Sequence, residues 1–185
     1  MDKREAILEA ALELFAERGF YGTPVPFIAE RAGVGAGTIY RYFENKEALV
    51  NALYQKWKED LYRAMLEDFP EDVPLRQIFH EGWQRQFEFT REHPTEMKFL
   101  ELHHHAPYLD EASRKLNDRI SKSIFTLYEQ ACREQIFKDI PAEMLVAITQ
   151  GLFMAMMKAY WQGEIDLTPE LVDQVEEICW QALRR

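Results

Sequence analysis

Cysteine is scarce in this 185-residue chain: Cys132 and Cys179 are the only two. They lack metal or redox spacing, so they read as small core residues in a reducing cytosol. Long apolar runs are missing as well. The longest nearly apolar stretch, Leu145 to Met157, holds Thr149 and Gln150 and falls short of the roughly 20 residues a bilayer span needs, so no membrane partner is expected. The start, Met1-Asp2-Lys3-Arg4-Glu5, leads straight into an amphipathic pattern; no signal peptide and a cytoplasmic location are the expectation. Repeats and low-complexity segments are absent. Sustained two-residue alternation is absent too, which predicts essentially no strand. No Gly-rich phosphate loop, nucleophile elbow, paired metal-binding His motif or Cys–His pair with recognisable spacing occurs, so neither catalytic residues, metal nor cofactor are expected. The run His103-His104-His105 invites a metal reading, yet neighbours on a helix point ~100° apart and cannot converge on one ion. A helix break with solvated imidazoles is the expectation there. A helical metal-dependent hydrolase using His80 and this run is the enzyme alternative.

What is present is apolar and helical. Hydrophobic residues make up 47% and aromatics 13% of the chain, enough for one large domain or two small ones. The net charge of −10 speaks against nucleic acid, but its distribution is uneven. Residues 1–50 hold six Lys/Arg against eight Asp/Glu, and Arg31 to Lys46 holds three basic residues with only Glu44 opposing them. Beyond about 10 Å, charges are screened at 0.1 M salt, so a small basic face on an acidic body can still meet phosphates.

Periodicity and punctuation predict about nine helices. The first runs from Lys3 to Arg18 and stops at Gly19, where a left-handed C-terminal residue belongs. Two short helices follow, Val25 to Ala32 and Ala36 to Phe43, joined by Gly33-Val34-Gly35. Two short helices around a glycine-bearing turn form a helix-turn-helix, whose second member enters the DNA major groove. Ile28, Ala32, Val34, Ile39 and Phe43, with Phe20 and Tyr21, are expected to be that module's core. Asn45 caps a fourth, connecting helix that breaks near Phe69-Pro70. Helices follow over Pro74–Glu92, Pro94–His104, Asp110–Gln135, Pro141–Gln162 (closed by Gly163) and from Thr168-Pro169 to Leu183. The fold class is therefore all-α: a helix-turn-helix module over residues 1–45, and a larger helical body over 46–185 that begins with a connecting helix at 46–68 and is large enough to hold a pocket.

The stretch from Ile28 to Leu49, centred on Ala32-Gly33-Val34-Gly35-Ala36-Gly37-Thr38-Ile39-Tyr40-Arg41-Tyr42-Phe43, resembles the signature of TetR-type (TetR/AcrR) transcriptional regulators. The upstream run Ile7 to Phe20 is similar to the first helix of the same family, so about 55 residues carry the likeness. The resemblance implies a ligand-responsive repressor bound as a homodimer to double-stranded operator DNA of near-palindromic sequence, and released by a small-molecule effector. It places Thr38, Tyr40, Tyr42 and Lys46 at phosphates, and Gly35, Ala36 and Gly37 near base edges; hydroxyls, an ammonium and helix-start amides suit those roles. Arg41 can make a bidentate guanine contact or reach phosphate, and both stay open. Pro26 departs from the pattern, since family members often offer DNA a polar group there and proline donates nothing. Specificity then leans on methyl contacts, backbone approach and DNA shape. The resemblance also pairs the last two helices with their dimer mates, through Ile148, Leu152, Met156, Leu171, Val175 and Ile178. Aromatics gathered in helices five to eight, Trp83, Phe87, Phe99, Phe125, Tyr128 and Phe153, are the expected wall of an apolar effector pocket; an acidic body suits a cationic lipophile. An activator, or a scaffold without small-molecule induction, shares every residue feature used above.

Overall fold

The computed structural model describes residues 2–67 and 73–185. The nine helices it contains among them are α1 (Lys3–Arg18), α2 (Val25–Arg31), α3 (Ala36–Tyr42), α4 (Lys46–Leu66), α5 (Leu75–Glu92), α6 (Pro94–His103), α7 (Glu111–Arg133), α8 (Ala142–Trp161) and α9 (Pro169–Leu183). The expected break of α4 at Phe69-Pro70 and the connecting helix's end at Asp68 lie outside the described residues. Among the described residues the one bridge is the isolated pair Phe137 and Arg184. Helix ends follow their punctuation. Gly19 takes φ 67° and ψ 177°, a glycine-only region beyond the left-handed helical one anticipated for it. Asn45 Oδ1 accepts from the Ala48 N–H at 2.7 Å, Thr168 Oγ1 from the Leu171 N–H at 3.3 Å, and Gly163 closes α8 with φ 73°. Pro141 caps α8 rather than opening it.

The chain forms two compact units. Unit 1 comprises residues 1–64 and 88–117; unit 2 comprises 65–87 and 118–185. In unit 1, α1 packs on α2, α3 and α6. Its apolar stripe buries Ile7, Ala11, Leu14 and Phe15, and Phe15 meets Phe20 and Phe99 at ring separations of 6.1 and 6.4 Å. The buried Thr23 hydroxyl sits 2.8 Å from the Gly19 carbonyl and 3.1 Å from that of Leu14, tying the loop after α1 back onto its helix. Tyr21 is 80% exposed, against expectation: only one of two adjacent residues at the end of a helix can turn inward, and Phe20 takes that place.

The histidine run is also corrected. His103 is fully buried, with Nδ1 2.5 Å from the Tyr108 hydroxyl and its ring 4.5 Å from that of Phe99. His104 Nδ1 lies 3.2 Å from the Tyr54 hydroxyl, which in turn donates to Asn117 at 2.9 Å. Only His105 is exposed. A partner for the ring nitrogen lets an imidazole enter a core in its neutral form. Burial pushes His103 down from its usual value. It holds His104 at about 4, with Lys58 and His105 nearby acting in the same direction and Glu101 opposing. Because both folded-state values are depressed, the neutral forms stabilise unit 1 fully above pH 6.5, and that stability drains away as pH falls from 6.5 towards 4. Melting temperatures recorded at pH 7, 6, 5 and 4 should fall steeply over this window, and His104→Gln should flatten the fall. A variant with the wild-type slope would contradict the assignment.

Unit 2 is built on α8 and α9, which pack together. Its core gathers Phe79, Trp83, Tyr128, Phe137, Leu145, Phe153, Met157 and Trp180. Helix α8 is long and apolar enough to cross a membrane by length and composition, longer than the apolar run within it suggests. Leu145, Phe153, Met156 and Met157 on it are core residues of the unit.

Candidate nucleic-acid interface and effector cavity

Four residues, Ala32 to Gly35, turn the chain from α2 into α3. The Gly33 φ of 65° is one that side-chain-bearing residues avoid. The Val34 N–H reaches back to the Ala29 carbonyl at 2.9 Å, and the Thr38 N–H to the Gly35 carbonyl at 2.8 Å. Of α3 only Ile39 is buried, at 2% exposure; it anchors the helix on α1 and α2 and turns the rest outward. Tyr40 and Tyr42 are exposed at 55% and 43%, an unusual position for such large rings. Gly35, Ala36, Gly37 and Arg41 are exposed and Thr38 is half-buried. Gly37, Tyr40 and Arg41, spaced i, i+3 and i+4, share one face of α3.

Gly35 and Gly37 have no internal reason to be glycine. A Cβ built on either would meet nothing within 4 Å, and Gly35 has an ordinary extended backbone, φ −72° and ψ 145°. The basic residues are not equivalent. Arg31 is held by Glu13 of α1 at 2.6 Å. Lys46 donates to the Phe20 carbonyl at 2.8 Å and lies 4.0 Å from that ring's centre, so one of its three ammonium hydrogens is committed inside the fold. Among the described residues Arg41 pairs with no carboxylate. Pro26 occupies the first turn of α2, where it costs no helical hydrogen bond.

Unit 2 holds a partly enclosed cavity of about 100 Å³. Its wall is made by Met65 and Leu66 at the end of α4, by Leu75, Ile78, Phe79, Gly82, Trp83 and Gln86 of α5, by Ser123, Ile124, Leu127 and Tyr128 of α7, by Phe137, and by Thr149 and Gln150 of α8. Of the six aromatics expected to line a pocket, Trp83 and Tyr128 do so. Phe87 and Phe153 pack in the surrounding core, and Phe125 is half-buried on α7 away from the wall. Phe99 belongs to unit 1, fully buried against Phe15 and His103. Ranking by aromaticity also passed over Ile78, Leu127 and the glutamine pair. A buried Gln86 three residues after Trp83 on an apolar stripe was the available signal, since such an amide needs an internal partner.

The residues expected at a dimer surface divide likewise. Ile178 is 61% and Ile148 36% exposed, and Met144, on the same helix as Ile148, is 54% exposed. Leu171 is half-buried, and Leu152 and Val175 lean on the unit's own core. Met156, only 6% exposed, is part of that core. A helix packed on neighbours has an inner apolar face as well as an outer one, and spacing alone does not separate them.

Two family models match the chain. One described as bacterial regulatory proteins of the tetR family covers residues 7–53, and one described as a tetracyclin repressor-like C-terminal domain covers residues 54–185. An uncharacterised HTH-type transcriptional regulator of Haemophilus influenzae is 23% identical over 184 residues, covering 100% of this chain and 97% of its own. The crystal structure of a TetR family transcription regulator from Marinobacter aquaeolei superposes with a TM-score of 0.87 at 25% identity, covering 98% of this chain and 95% of that one. That of the transcriptional regulator FadR from Bacillus subtilis, in complex with stearoyl-CoA, gives a TM-score of 0.70 at 21% identity, covering 95% and 96%.

Proposed function

Since the chain belongs to the TetR family of transcriptional regulators, we propose that it is a dimeric repressor whose grip on a near-palindromic operator is released by a small apolar or amphipathic molecule. Membership itself makes it a helix-turn-helix DNA-binding regulator and not an enzyme. The operator form, the dimer, the cytoplasmic location and the direction of control are the proposal. So is the division of labour, with DNA binding in residues 1–45 and effector binding and dimerisation in 46–185.

The observation that carries the reading is the course of α4. It starts at Lys46, four residues after α3 ends, and its last two residues, Met65 and Leu66, form part of the cavity wall. A ligand that favours one placement of those residues over another acts on the helix that follows the recognition helix. The shift requires tighter binding to the DNA-incompetent state than to the competent one. That FadR holds stearoyl-CoA supports an effector site in a body of this fold. At the DNA, the exposed Tyr40, Tyr42 and Arg41, the half-buried Thr38 and the partly committed Lys46 are the phosphate and base contacts of the proposal. Gly35, Ala36 and Gly37 provide the close approach.

Selecting bound fragments from a random DNA pool at moderate salt should enrich a near-palindrome with half-sites about one turn, ~34–36 Å, apart. Recovery of single half-sites would remove the dimeric operator. Lys46→Ala should weaken binding to all sequences and reduce the slope of log K against log salt by about 0.9 if its phosphate contact is lost. Tyr40→Ala, which removes a neutral hydroxyl, should weaken binding with little change of slope. An unchanged slope for Lys46→Ala would take Lys46 off the phosphates, and undiminished binding by Tyr40→Ala would do the same for Tyr40.

At the dimer surface the informative position is Ile178, with Ile148 beside it in the proposal; Met156 is buried within its own unit. Ile178→Glu should move sedimentation from dimer towards monomer, and a persistent dimer would put the interface on another face. An effector-independent scaffold is told apart by adding effector to the operator complex, since it does not let go; an activator is told apart by a reporter gene behind the operator, whose output it raises rather than lowers.

A further inference from the structure

Lys46 opens α4 with its ammonium over the Phe20 ring, 4.0 Å from the ring centre, while it donates to the Phe20 carbonyl at 2.8 Å. The Tyr108 ring stacks on Phe20 with its centre 4.0 Å away and a tilt of 22°. Two groups cannot share one face of a ring at that distance, so Phe20 is held between Tyr108 and Lys46. Tyr108 is fixed in turn. Its hydroxyl lies 2.5 Å from His103 Nδ1, and its carbonyl accepts from the Asn51 amide at 2.9 Å. Asn51 is buried on α4, and its Oδ1 accepts from the Asp110 N–H at 2.9 Å and from the Ser113 hydroxyl at 2.7 Å. The contacts close on themselves, from Lys46 to Phe20, to Tyr108, to Asn51 and back along α4. Among the described residues no carboxylate pairs with Lys46, so its charge is answered only by a carbonyl and a ring.

A lysine side chain has much rotamer freedom, and ordering it on a phosphate costs free energy. That cost does not recur where the fold has already ordered the side chain. We infer that Tyr108, in the turn between α6 and α7, is a positioning residue for DNA binding: its ring backs Phe20 and so holds the Lys46 ammonium where it meets a backbone phosphate. The inference rests on the phosphate role of Lys46 proposed above, and adds to it a residue far downstream that acts without touching the duplex.

Operator titrations on the purified full chain test it with Lys46→Ala, Tyr108→Leu, Tyr108→Phe and the double variant of Lys46→Ala with Tyr108→Leu. Tyr108→Leu should weaken binding to all sequences about two- to tenfold, the ordering cost of one long side chain. Tyr108→Phe keeps the stack and should bind within about twofold of the wild type. Added to Lys46→Ala, Tyr108→Leu should cost almost nothing further, because the group it positions is gone. A merely structural role would lower binding by the same factor in both backgrounds. In the wild type, with no variant's folding in question, the Lys46 ε-methylene protons should resonate upfield of an exposed lysine's, shifted by the Phe20 ring current. They should keep that shift in the operator complex. Undiminished binding by Tyr108→Leu, an equal loss in the two backgrounds, an equal loss from the leucine and phenylalanine variants, or a ring-current shift that vanishes on the operator overturns the inference. Lys46→Ala that binds like the wild type removes the phosphate role of Lys46 and the inference with it. A loss from Lys46→Ala with none from Tyr108→Leu leaves that role standing and removes Tyr108 alone.

Discussion

Replacing Gly37 with alanine is expected to raise thermal stability and weaken operator binding in the same protein. The second residue of α3 is a poor place for glycine as far as the free chain is concerned. Alanine at a helical position restricts the unfolded chain and typically stabilises by about 0.5–1 kcal/mol, worth about 2 °C in a chain of this length. Nothing opposes the methyl group, since no atom lies within 4 Å of where it would sit. The penalty falls on the DNA side. If the recognition helix seats its first turn against the duplex, a methyl group between backbone and base edges separates the two surfaces. A tenfold loss, about 1.4 kcal/mol, is the expected scale, growing with Gly37→Leu. Melting curves and operator titrations on one preparation read both signs at once. Stabilisation with undiminished DNA binding would show that the first turn of α3 does not face the duplex closely.

The second large effect lies in unit 2. Glu176 of α9 is 1% exposed, and Arg76 of α5 meets it with two hydrogen bonds at 2.7 and 2.9 Å. Arg76 also reaches Glu177 at 2.8 Å and lies 5.3 Å from the ring of Trp180, while His80 Nδ1 is 3.5 Å from Glu176. Taking away Arg76 strands the buried carboxylate. Arg76→Ala should therefore cost about 3 kcal/mol, the low end for a broken buried pair because the guanidinium is itself partly exposed. The exposed arm to Glu177 adds little. Replacing both partners, Arg76→Met with Glu176→Met, should recover most of the loss, since an apolar pair of similar volume has no charge to desolvate. Denaturant unfolding of the two variants decides it. Equal destabilisation of both would mean that packing on Trp180, and not the stranded charge, sets the cost.

Much of this fold was legible in the residues, and the reasons differ from place to place. Gly19, Asn45, Pro94, Thr168-Pro169 and Gly163 each act through local chemistry, by a backbone angle, a cap or a missing N–H, so the helix ends they mark lie within a residue or two of expectation. What periodicity does not carry is the identity of the neighbour. Phe99 sits on a buried stripe, but whether that stripe faces Phe15 or a cavity depends on how the chain folds back over more than eighty residues. Met156 and Ile178 look alike as apolar positions near the end of the chain, yet one is core and the other surface. His103 enters the core because Tyr108, five residues on, meets its ring nitrogen, a pairing that composition does not reveal. The outward face of α3 was clearer: short helices leave few ways to bury one residue in seven, and Ile39 takes that role in α3.

The reliance of α1 on α6 bears on how this protein can be cut and recombined. Phe15 leans on Phe99 and His103, and Phe20 stacks on Tyr108 at a ring distance of 4.0 Å, so residues far downstream form one wall of the space that the first helix fills. A fragment ending near residue 53 would leave those rings bare to water. A chimera that swaps reader modules between regulators would inherit the same gap unless residues 88–117 travelled with the graft. Operator choice in this chain is thus portable only as a discontinuous block, and a relative whose α6 offers a smaller side chain at position 99 would be a poor recipient.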